Sequence, residues 1–549
     1  MFEEKWNKCL IPSFLSICLL VLMLCITGGK VHAQYSELFL ENPVIWADVP
    51  DPSVIRVDDS YYMSSTTMHM NPGVPIMRSN DLVTWEIVNY AYNILGNSDF
   101  HTLKNGKDEY GRGSWASSIR YHNESFYVAT FSYTTQKTYI FRTHDIESGS
   151  WETFTLEGLF HDPSLFFDEG RAFLIYGVDD IRITELTADG TALKKDGVDQ
   201  VLIPNSKAIM ETDEFYVPAE GAHIQKIEDA YFVTLITWPA TGMRTQLVYR
   251  SNELLGDYVG NIVFQDNGVA QGGLIDTPEG DWYGFMFKDH GSVGRIPMIV
   301  PVTWKDGWPV FGENGKMPKQ LRIKAGNKGV PGIVASDEFN GDSGPDRYNE
   351  ETEILKGLSL VWQWNHVPNA EYWSLDERPG YLRLTNGEIA TGFTDTRNML
   401  TQRTFGPQCT GTVRMDFSNL NDGDVAGLGA LQGTHGYLAV KKEQGSTFVE
   451  MVKGSPDSTY TLERHPITQN HVYFRIAFDF KELTDTAYFY YSLDGKTWQK
   501  IGSDLQLRYT LDHFMGYRFA LFNYATKSTD GYVDFDYFDV QSQLFSLNN

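Results

Sequence analysis

The sequence predicts an all-β protein in which a five-bladed β-propeller is followed by an antiparallel β-sandwich. Five segments repeat one pattern: an apolar stretch, a short polar turn, and a second apolar stretch rich in Tyr and Phe. Aromatic residues make up 14% of the 549 residues, which favours strands. No long segment has the 3.6-residue apolar period of a helix. The five repeats are Ser53–Thr66, Ser118–Ser132, Ser164–Gly177, His223–Thr237 and Leu274–Lys288.

A short segment leads into each repeat. The first strand of every propeller blade lines the central axis, so these five leading segments are expected to converge on one spot. Three of them carry an acidic residue. The leading segments are Asp48–Pro52, Arg112–Ala116, His161–Pro163, Ala219–Gly221 and Gln271–Gly273.

The first 33 residues are predicted to be a cleaved signal peptide. Lys5 and Lys8 give a positive start, Cys9–Thr27 is apolar, and residues 31–33 (Val-His-Ala) offer a small-residue cleavage site. The alternative is an uncleaved membrane anchor, because the apolar run approaches the ~20 residues that span a bilayer. Cleavage would give a secreted or periplasmic protein that has no membrane contact after processing.

The propeller is expected over residues 36–315, a linker over 316–335 and the sandwich over 336–541. The linker is rich in Lys, Gly and Pro and lacks strand periodicity. The last part alternates apolar and polar residues in strands separated by turn signals, which is typical of a sandwich. Segments with a recurrent Trp or Tyr are predicted to form outer blade strands. They are Asp81–Glu86, Gly149–Glu152, Leu254–Val259 and Val300–Trp304.

The composition restricts the partners. The chain carries 71 Asp and Glu against 45 Lys and Arg, a net charge of −26. Such a surface repels nucleic acid and anionic membranes, so a neutral or cationic partner is expected. Three of the four Cys lie in the signal peptide, which leaves Cys409 alone in the mature chain. Cys409 is predicted to be a small buried hydrophobic residue, and stability must come from a large core rather than from disulfides.

Three acidic residues occupy matching places in the repeat. Asp51 lies between Pro50 and Pro52, directly before the first strand of a blade. Flanking prolines restrict the backbone and fix the direction of the carboxylate. Alone, Asp51 would be interpreted as a turn residue, since Asp-Pro is a common loop dipeptide. Asp162 repeats the Asp-Pro-Ser sequence before another blade, and Glu220 holds the same place in a third, which favours a functional trio.

Carboxylates spaced around an aromatic-lined hollow are suited to glycosidic cleavage. One acid must be held protonated and one carboxylate ionised, so their environments must push the two pKa values apart. A third carboxylate nearby can hold the pKa of the acid up by like-charge repulsion. The chain supplies the three acidic residues that this chemistry requires.

Several separated motifs, in the same order, resemble those of the family 43 glycoside hydrolases, in the branch of β-xylosidases and α-L-arabinofuranosidases. The resemblance runs from Asn42 to the end of the chain. It implies a five-bladed propeller, a concanavalin-like sandwich, and hydrolysis with inversion that requires no cofactor. The motifs are Asn42–Val57, Gly113–His122, His161–Gly170, Glu220–Lys226 and Gly291–Trp304.

The resemblance also assigns roles to matching positions. Asp51 would be the general base that activates water, Glu220 the general acid, and Asp162 the residue that orients Glu220 and tunes its pKa. Arg295 would bond hydroxyl groups of the sugar, with a salt bridge at a blade edge as the alternative. Trp115 would form a pocket wall, with an ordinary core position as the alternative.

The second domain is expected to complete the pocket. Related sandwiches contribute a Phe to the propeller mouth, so the loop Asp512–Tyr517 is expected to place Phe514 near the site. At one point the sequence departs from its relatives. Many of them carry an axial histidine that holds calcium through water, but Gln271 occupies that place, which argues against an axial metal. A structural calcium between Asp337–Phe339 and Asp534–Asp536 is an open alternative to solvated acids at strand ends.

The function implied is an inverting, exo-acting glycoside hydrolase that releases xylose from the non-reducing ends of β-1,4-xylo-oligosaccharides or xylan side structures. The alternative is an α-L-arabinofuranosidase acting on arabinoxylan or arabinan, because the two sugars present similar hydroxyl patterns. A non-catalytic sugar-binding propeller is a third hypothesis, and it expects one of the three carboxylates to be missing. The expected partner is a plant cell-wall oligosaccharide or polysaccharide.

Overall fold

A computed structural model of the chain describes residues 36–325, 332–342, 354–456 and 458–547. The predicted signal peptide, residues 1–33, lies outside these ranges. Within them the secondary structure consists of strands and short 3-10 helices, so the all-β prediction is confirmed. No helix in the described ranges has the length and apolar character needed to cross a membrane. The 3-10 helices are Ser206–Ile209, Gly291–Val293, Ala370–Tyr372, Phe393–Asp395 and Lys481–Leu483.

Five four-stranded antiparallel sheets form the propeller, and each is built from consecutive strands. Every predicted hairpin supplies the first two strands of one blade, which confirms the five-bladed fold. From the inner to the outer strand, blade 1 is Ser53–Val57, Ser60–Ser64, Gly73–Ser79 and Glu86–Tyr92, and blade 2 is Ser114–His122, Ser125–Ser132, Lys137–Thr143 and Glu152–Glu157. Blade 3 is Ser164–Asp168, Arg171–Tyr176, Ile181–Leu186 and Asp199–Ile203, and blade 4 is Phe215–Ile227, Ala230–Pro239, Thr245–Ser251 and Val259–Phe264. Blade 5 is Val269–Asp276, Trp282–Asp289, Arg295–Lys305 and Trp308–Phe311.

The outer strands begin later than the sequence indicated. In blades 1, 2 and 4 the predicted segment is the turn that ends where the outer strand starts. In blade 1 the carboxylate of Asp81 accepts the N–H groups of Val83 (2.9 Å) and Thr84 (2.7 Å), which closes the turn before Glu86. In blade 5 the predicted outer segment lies within the third strand.

Hydrogen bonds between neighbouring inner strands hold the ring together. In four of the five junctions a backbone N–H of one blade donates to a buried or half-buried side chain of the preceding blade. An ion pair between Arg56 of blade 1 and Asp276 of blade 5 joins the ends of the ring, with Nη2 2.5 Å from Oδ2. The four bonds are Ile119 N to Ser53 Oγ (3.3 Å), Leu165 N to Ser118 Oγ (3.0 Å), Ile224 N to Ser164 Oγ (3.3 Å) and Leu274 N to Gln225 Oε1 (3.1 Å).

Two further sheets form the predicted sandwich. One has the order Ser458–Ile467, Ser446–Ser455, His435–Glu443, Asp424–Leu431, Arg518–Ala525, Met399–Arg403, Gln363–Asn365 and Met70–Asn71. The other has the order Trp373–Ser374, Leu382–Thr385, Tyr532–Gln541, Gln408–Asn419, His471–Asp479, Thr486–Ser492 and Trp498–Lys500, with Leu505–Gln506 also paired to Thr486–Ser492.

The propeller and the sandwich share a strand pairing and a hydrophobic cluster. The strand Met70–Asn71 belongs to a propeller loop but pairs with Gln363–Asn365 at the edge of a sandwich sheet. One hydrophobic cluster includes Trp85 of blade 1 and Trp362 beside the sandwich. Cys409 is fully buried and has a free thiol, as predicted.

The predicted linker is not devoid of regular structure. The strand Leu321–Ala325 lies within residues 316–335 and pairs antiparallel with Ser36–Leu40. The surrounding composition, rich in Lys, Gly and Pro, concealed it, although the five residues alternate apolar and polar as a strand does. The expectation that this stretch lacks a strand is therefore wrong.

Asp48 binds the two domains to each other beside the propeller axis. Its side chain is only 3% exposed. Oδ1 accepts the N–H of Arg295 in blade 5 at 2.8 Å, and Oδ2 accepts the N–H of Gly516 in a sandwich loop at 2.9 Å. Any larger residue at 516 would clash, because a Cβ there would lie 2.1 Å from the carbonyl oxygen of Val293. Asp48 thus fixes the loop against blade 5.

We expect Asp48→Asn to destabilise the protein and to lower its activity. An amide can present only one oxygen, so at least one of the two N–H donors would lose its acceptor. A hydrogen bond to a charged group contributes about 1.5–3 kcal/mol, so the free energy of unfolding should fall by about that amount. Urea unfolding of Asp48→Asn and of the exposed control Asp58→Asn would measure the loss. Equal stability of the two variants would contradict the role given to Asp48.

Candidate active site

A cavity of about 650 Å³ lies at the propeller axis, between the leading segments of the blades and a sandwich loop. All five leading segments contribute to its wall, as the repeat predicts. The six predicted site residues also line it, so the structure brings all of them together. The lining residues are Asp51, Trp115, His161, Asp162, Tyr216, Val217, Glu220, Trp238, Arg244, Gln271, Arg295, Leu511 and Phe514.

Asp51 is held from two sides. Its Oδ1 accepts a hydrogen bond from Arg295 Nη1 at 2.8 Å, and its Oδ2 accepts one from the Thr66 hydroxyl at 2.6 Å. The Asp51 and Arg295 side chains are each 6% exposed. Burial lowers the pKa of Arg295, but the attraction of Asp51, Tyr509 and Asp289 more than offsets it, so the net change is upward. Arg295 is thus paired inside the cavity rather than at a blade edge.

Three cavity residues share an unusual backbone conformation. The φ angles of Asp51, Asp162 and Gln271 are 52°, 48° and 59°, in the left-handed region. Such a conformation costs on the order of 1–3 kcal/mol for a non-glycine residue and is concentrated at functional sites. It is more unusual still before proline, which favours an extended predecessor. The same bend recurs in three blades, just where each inner strand meets the cavity.

Glu220 and Asp162 lie next to each other around His161. Glu220 Oε2 is 3.1 Å from His161 Nε2, and Asp162 Oδ2 is 3.5 Å from the same nitrogen. The Glu220 side chain is 24% exposed, whereas Asp162 is buried. Burial raises the pKa of Asp162, His161 lowers it, and the Glu220 and Asp51 carboxylates raise it, which gives a net pKa of about 7. The N–H of Gly221 donates to Asp162, which ties this carboxylate to the backbone beside Glu220.

The sandwich supplies one wall of the cavity. The ring centroids of Trp115 and Phe514 are 4.9 Å apart, and the guanidinium of Arg295 lies 4.2 Å from the Phe514 ring centroid. Trp115 also meets Tyr133 edge to face at 5.0 Å. Trp115 is therefore a wall residue, and Phe514 reaches it from the second domain. Aromatic faces of this kind suit the apolar faces of sugar rings.

Sequence reasoning missed several cavity residues. Arg244 donates from Nε to Asp289 Oδ2 at 2.6 Å, and its guanidinium lies 4.6 Å from the Trp238 ring centroid. Asp289 also lies 3.4 Å from Arg295 Nε, so it links the two arginines. No motif marked Arg244, Trp238 or the other unassigned positions. His161 could have been recognised from the sequence, since it directly precedes Asp162 in the motif His161–Gly170. The other missed residues are Tyr216, Val217 and Leu511.

The structural calcium left open by the sequence does not fit Asp337, Asp534 and Asp536, because protein donors already occupy these three acids. Arginine side chains bind two of the three, which places positive charge where the ion would lie. Asp337 accepts from Trp362 Nε1 at 2.8 Å, Asp534 from Arg383 Nε at 2.7 Å and Arg378 Nη1 at 3.0 Å, and Asp536 from Arg414 Nη1 at 2.6 Å.

Gln271 lines the cavity at the propeller axis. In the described part of the chain, one group of three possible donor atoms is compact, with His161, Asp162 and Glu220 atoms within 4.8 Å of one another. His161 and Glu220 are hydrogen-bonded to each other, and Asp162 accepts the Gly221 N–H. Hydrogen bonds thus connect the members of this group to each other and to the backbone.

Comparison with known proteins agrees with this geometry. The model for glycosyl hydrolases family 43 matches residues 40–309, and that for the β-xylosidase C-terminal concanavalin A-like domain matches residues 355–541. The chain belongs to glycoside hydrolase family 43. A β-xylosidase of Formosa agariphila is 27% identical over 90% of this chain and 89% of its own length. A non-reducing end α-L-arabinofuranosidase of Bacteroides ovatus is 24% identical over 74% of this chain and 76% of its own.

Solved structures of the family have the same fold. A bifunctional GH43-CE protein of Bacteroides eggerthii superposes with a TM-score of 0.88 at 48% identity, covering 93% of this chain. The chain spans 64% of the length of that protein. An engineered family 43 enzyme with endo-xylanase and exo-arabinofuranosidase activity has a TM-score of 0.80 at 26% identity, covering 92% of this chain and all of its own. This chain is accordingly a glycoside hydrolase.

We expect Asp162→Asn to raise stability at neutral pH, although it should lower activity. The folded-state pKa of Asp162, about 7, lies above the ~3.9 of an unfolded aspartate. The fold therefore favours the protonated form, so the wild-type protein loses stability as pH rises from about 4 to 7. Asparagine has no proton to lose and should avoid this penalty, which amounts to a few kcal/mol at most.

The melting temperature of Asp162→Asn, relative to the wild type, should thus increase from pH 4 to pH 7. Asp229→Asn, in an exposed turn, is the matched control and should show no such trend. A difference in melting temperature that stays constant with pH would contradict the titration assigned to Asp162.

Proposed function

We propose that the protein is an inverting, exo-acting β-xylosidase that releases xylose from the non-reducing ends of β-1,4-xylo-oligosaccharides or xylan side structures. The observation that supports this most is one axial cavity holding three carboxylates and bounded by Phe514 and Leu511 of the sandwich. A pocket bounded in this way suits the end of a chain better than its middle. The β-xylosidase relatives support the choice of xylose.

In this proposal Asp51 is the general base. The Arg295 and Thr66 donors occupy one lone pair on each of its oxygens, so the carboxylate is fixed in direction. It accepts a proton from water as the water oxygen attacks the anomeric carbon. The neighbouring guanidinium of Arg295 also supplies positive charge and N–H donors beside the sugar.

Glu220 is the general acid in the same proposal. It is the most exposed of the three carboxylates, which leaves it accessible to the leaving oxygen. Asp162 acts through Glu220, because it binds the N–H of Gly221 and places a buried acidic group beside the Glu220 side chain. Inversion follows if water and leaving group occupy opposite faces of the sugar, with the carboxyl groups about 6.5–9.5 Å apart.

An α-L-arabinofuranosidase is the second candidate, favoured by the name of the Bacteroides ovatus relative. Comparing kcat/KM on nitrophenyl β-D-xylopyranoside and nitrophenyl α-L-arabinofuranoside would decide between them. A faster xyloside supports the first proposal, and a faster arabinofuranoside supports the second. Hydrolysis of neither would favour a non-catalytic sugar-binding propeller. The anomer released first, observed by proton NMR, tests inversion.

The setting of the reaction is also a proposal. The N-terminal sequence of residues 1–33 supports export to the periplasm or the medium, where plant cell-wall oligosaccharides and polysaccharides would be encountered. The net charge of −26 is compatible with a neutral polysaccharide. Determining the N-terminus of the mature protein and its cell fraction would test this.

The roles of the two carboxylates should separate by leaving group. Asp51→Asn should abolish hydrolysis of every substrate, because attack always needs an activated water. Glu220→Gln should abolish hydrolysis of xylobiose, whose leaving sugar is a basic alkoxide that needs a proton. Dinitrophenyl xyloside should still be cleaved, because dinitrophenolate is stable as an anion. Since general acid–base assistance contributes about 10²–10⁴-fold, the contrast should be large.

The measurement is the ratio of kcat/KM for dinitrophenyl xyloside to that for xylobiose in each variant. If Asp51→Asn rather than Glu220→Gln preserves the activated substrate, the two roles are reversed.

A further inference from the structure

The contact between His161 and Glu220 has a strict proton requirement. Their Nε2 and Oε2 atoms are 3.1 Å apart. A carboxylate oxygen and an unprotonated imidazole nitrogen are both acceptors, so one proton must lie between them. Three states satisfy this requirement: a neutral His161 with its proton on Nε2 donates to the Glu220 carboxylate, a doubly protonated His161 donates to it, or the Glu220 carboxyl donates to an unprotonated Nε2. The last two states hold one proton more than the first.

The imidazole ring is held in place for this contact. The Tyr133 hydroxyl lies 3.4 Å from Nδ1 on the other side of the ring. The Phe131 ring centroid is 5.2 Å from that of His161, and the Trp115 centroid is 6.5 Å away. His161 directly precedes Asp162, so the left-handed bend at Asp162 helps to set its position. The ring thus presents Nε2 to Glu220 and Nδ1 to Tyr133.

We propose that His161 and Glu220 share one proton, so that the acid of the reaction is the His161–Glu220 pair rather than the Glu220 carboxyl alone. His161 is a positioning residue in this account, because it acts through Glu220. The inference rests on the proposed function, since it presupposes that Glu220 protonates the leaving oxygen.

The charges around His161 favour retention of the shared proton. Burial lowers the pKa of His161, but the Asp162, Glu220 and Asp51 carboxylates more than offset it and raise the pKa to about 9. The Tyr133 hydroxyl is the other titratable group in contact, and burial raises its own pKa, so it stays neutral. At neutral pH His161 therefore holds the additional proton of the pair.

The proton balance of one turnover follows directly. The pair gives its proton to the glycosidic oxygen as the bond from that oxygen to the anomeric carbon breaks. Water forms the new bond to the anomeric carbon, and its proton goes to the Asp51 carboxylate. The pair is left as a Glu220 carboxylate and a neutral His161, whose Nε2–H tautomer satisfies the contact. Once the products leave, Asp51 returns one proton to solvent and the pair takes one up.

The test is the pH dependence of kcat/KM for His161→Gln on two substrates. Loss of the shared site should move the basic limb of the xylobiose profile at least one pH unit lower. The rate on xylobiose at pH 7 should fall at least tenfold, whereas dinitrophenyl xyloside, which needs no proton, should be hydrolysed at nearly the wild-type rate. His144→Gln, at an exposed position on blade 2, is the matched control and should leave both profiles unchanged.

Two further measurements keep the test independent of the folding of one variant. Tyr133→Phe removes the partner of Nδ1 and should shift the same limb in the same direction by a smaller amount. In the otherwise intact protein, NMR of ¹⁵N-labelled histidine should show His161 titrating at least one pH unit lower in Glu220→Gln than in the wild type.

An unchanged basic limb in His161→Gln, equal losses on both substrates, or an unshifted His161 titration in Glu220→Gln would each overturn the shared proton. Failure of the proposed function is recognised differently. In that case the wild-type protein would hydrolyse neither xylosides nor arabinofuranosides, and the NMR titration would still report whether the pair exists.

Discussion

The hydrogen bonds that cross from blade to blade at the axis are the interaction on which the rest of the structure depends. Each inner strand is joined to the inner strand of the next blade through a side chain, because the two strands do not belong to one sheet. Ser53 and Ser164, which follow Asp51 and Asp162 by two residues, each accept an N–H from the next blade. The Asp-Pro-Ser sequence therefore combines two tasks: its serine joins the ring, and its aspartate faces the cavity. In blades 1 and 3 the same three residues thus join neighbouring blades and place a carboxylate in the cavity.

This coupling explains how much of the fold the sequence could predict. Inner hairpins show the period of two and a turn signal together, so all five were identified. The outer strands were misplaced because short segments with a recurrent Trp or Tyr were interpreted as strands. In blade 1, Asp81 accepts nearby N–H groups, and the indole N–H of Trp85 donates to Leu82 O at 3.0 Å, so both residues close the turn. In blades 1, 2 and 4 the aromatic residue directly precedes the outer strand, and the apolar pattern does not reveal this boundary.

The candidate site was predictable only where a residue repeats or belongs to a motif. Asp51, Asp162 and Glu220 recur at one place in the blade, which is visible in a single sequence. Tyr216 and Trp238 lie at the ends of the long inner strands of blade 4, and nothing in the local pattern indicates that these strands extend above the ring. Contacts that bring distant segments together, such as those around Asp48 and Phe514, follow from packing between the domains.

Charge balance within the cavity connects these observations to the substrate. The lining contains three acidic side chains and three basic ones, namely Asp51, Asp162, Glu220, Arg295, Arg244 and His161. Each of these carboxylates lies beside a basic side chain, Asp51 beside Arg295 and both Asp162 and Glu220 beside His161. A charged ligand would leave one sign uncompensated in a buried space, which is costly. A neutral sugar leaves the balance intact, and its hydroxyl groups can both donate to carboxylates and accept from guanidinium groups. The proton shared by His161 and Glu220 is then the charge that moves during the reaction. When it passes to the glycosidic oxygen, the charged side chains of Asp51, Arg295 and Arg244 stay in place around it.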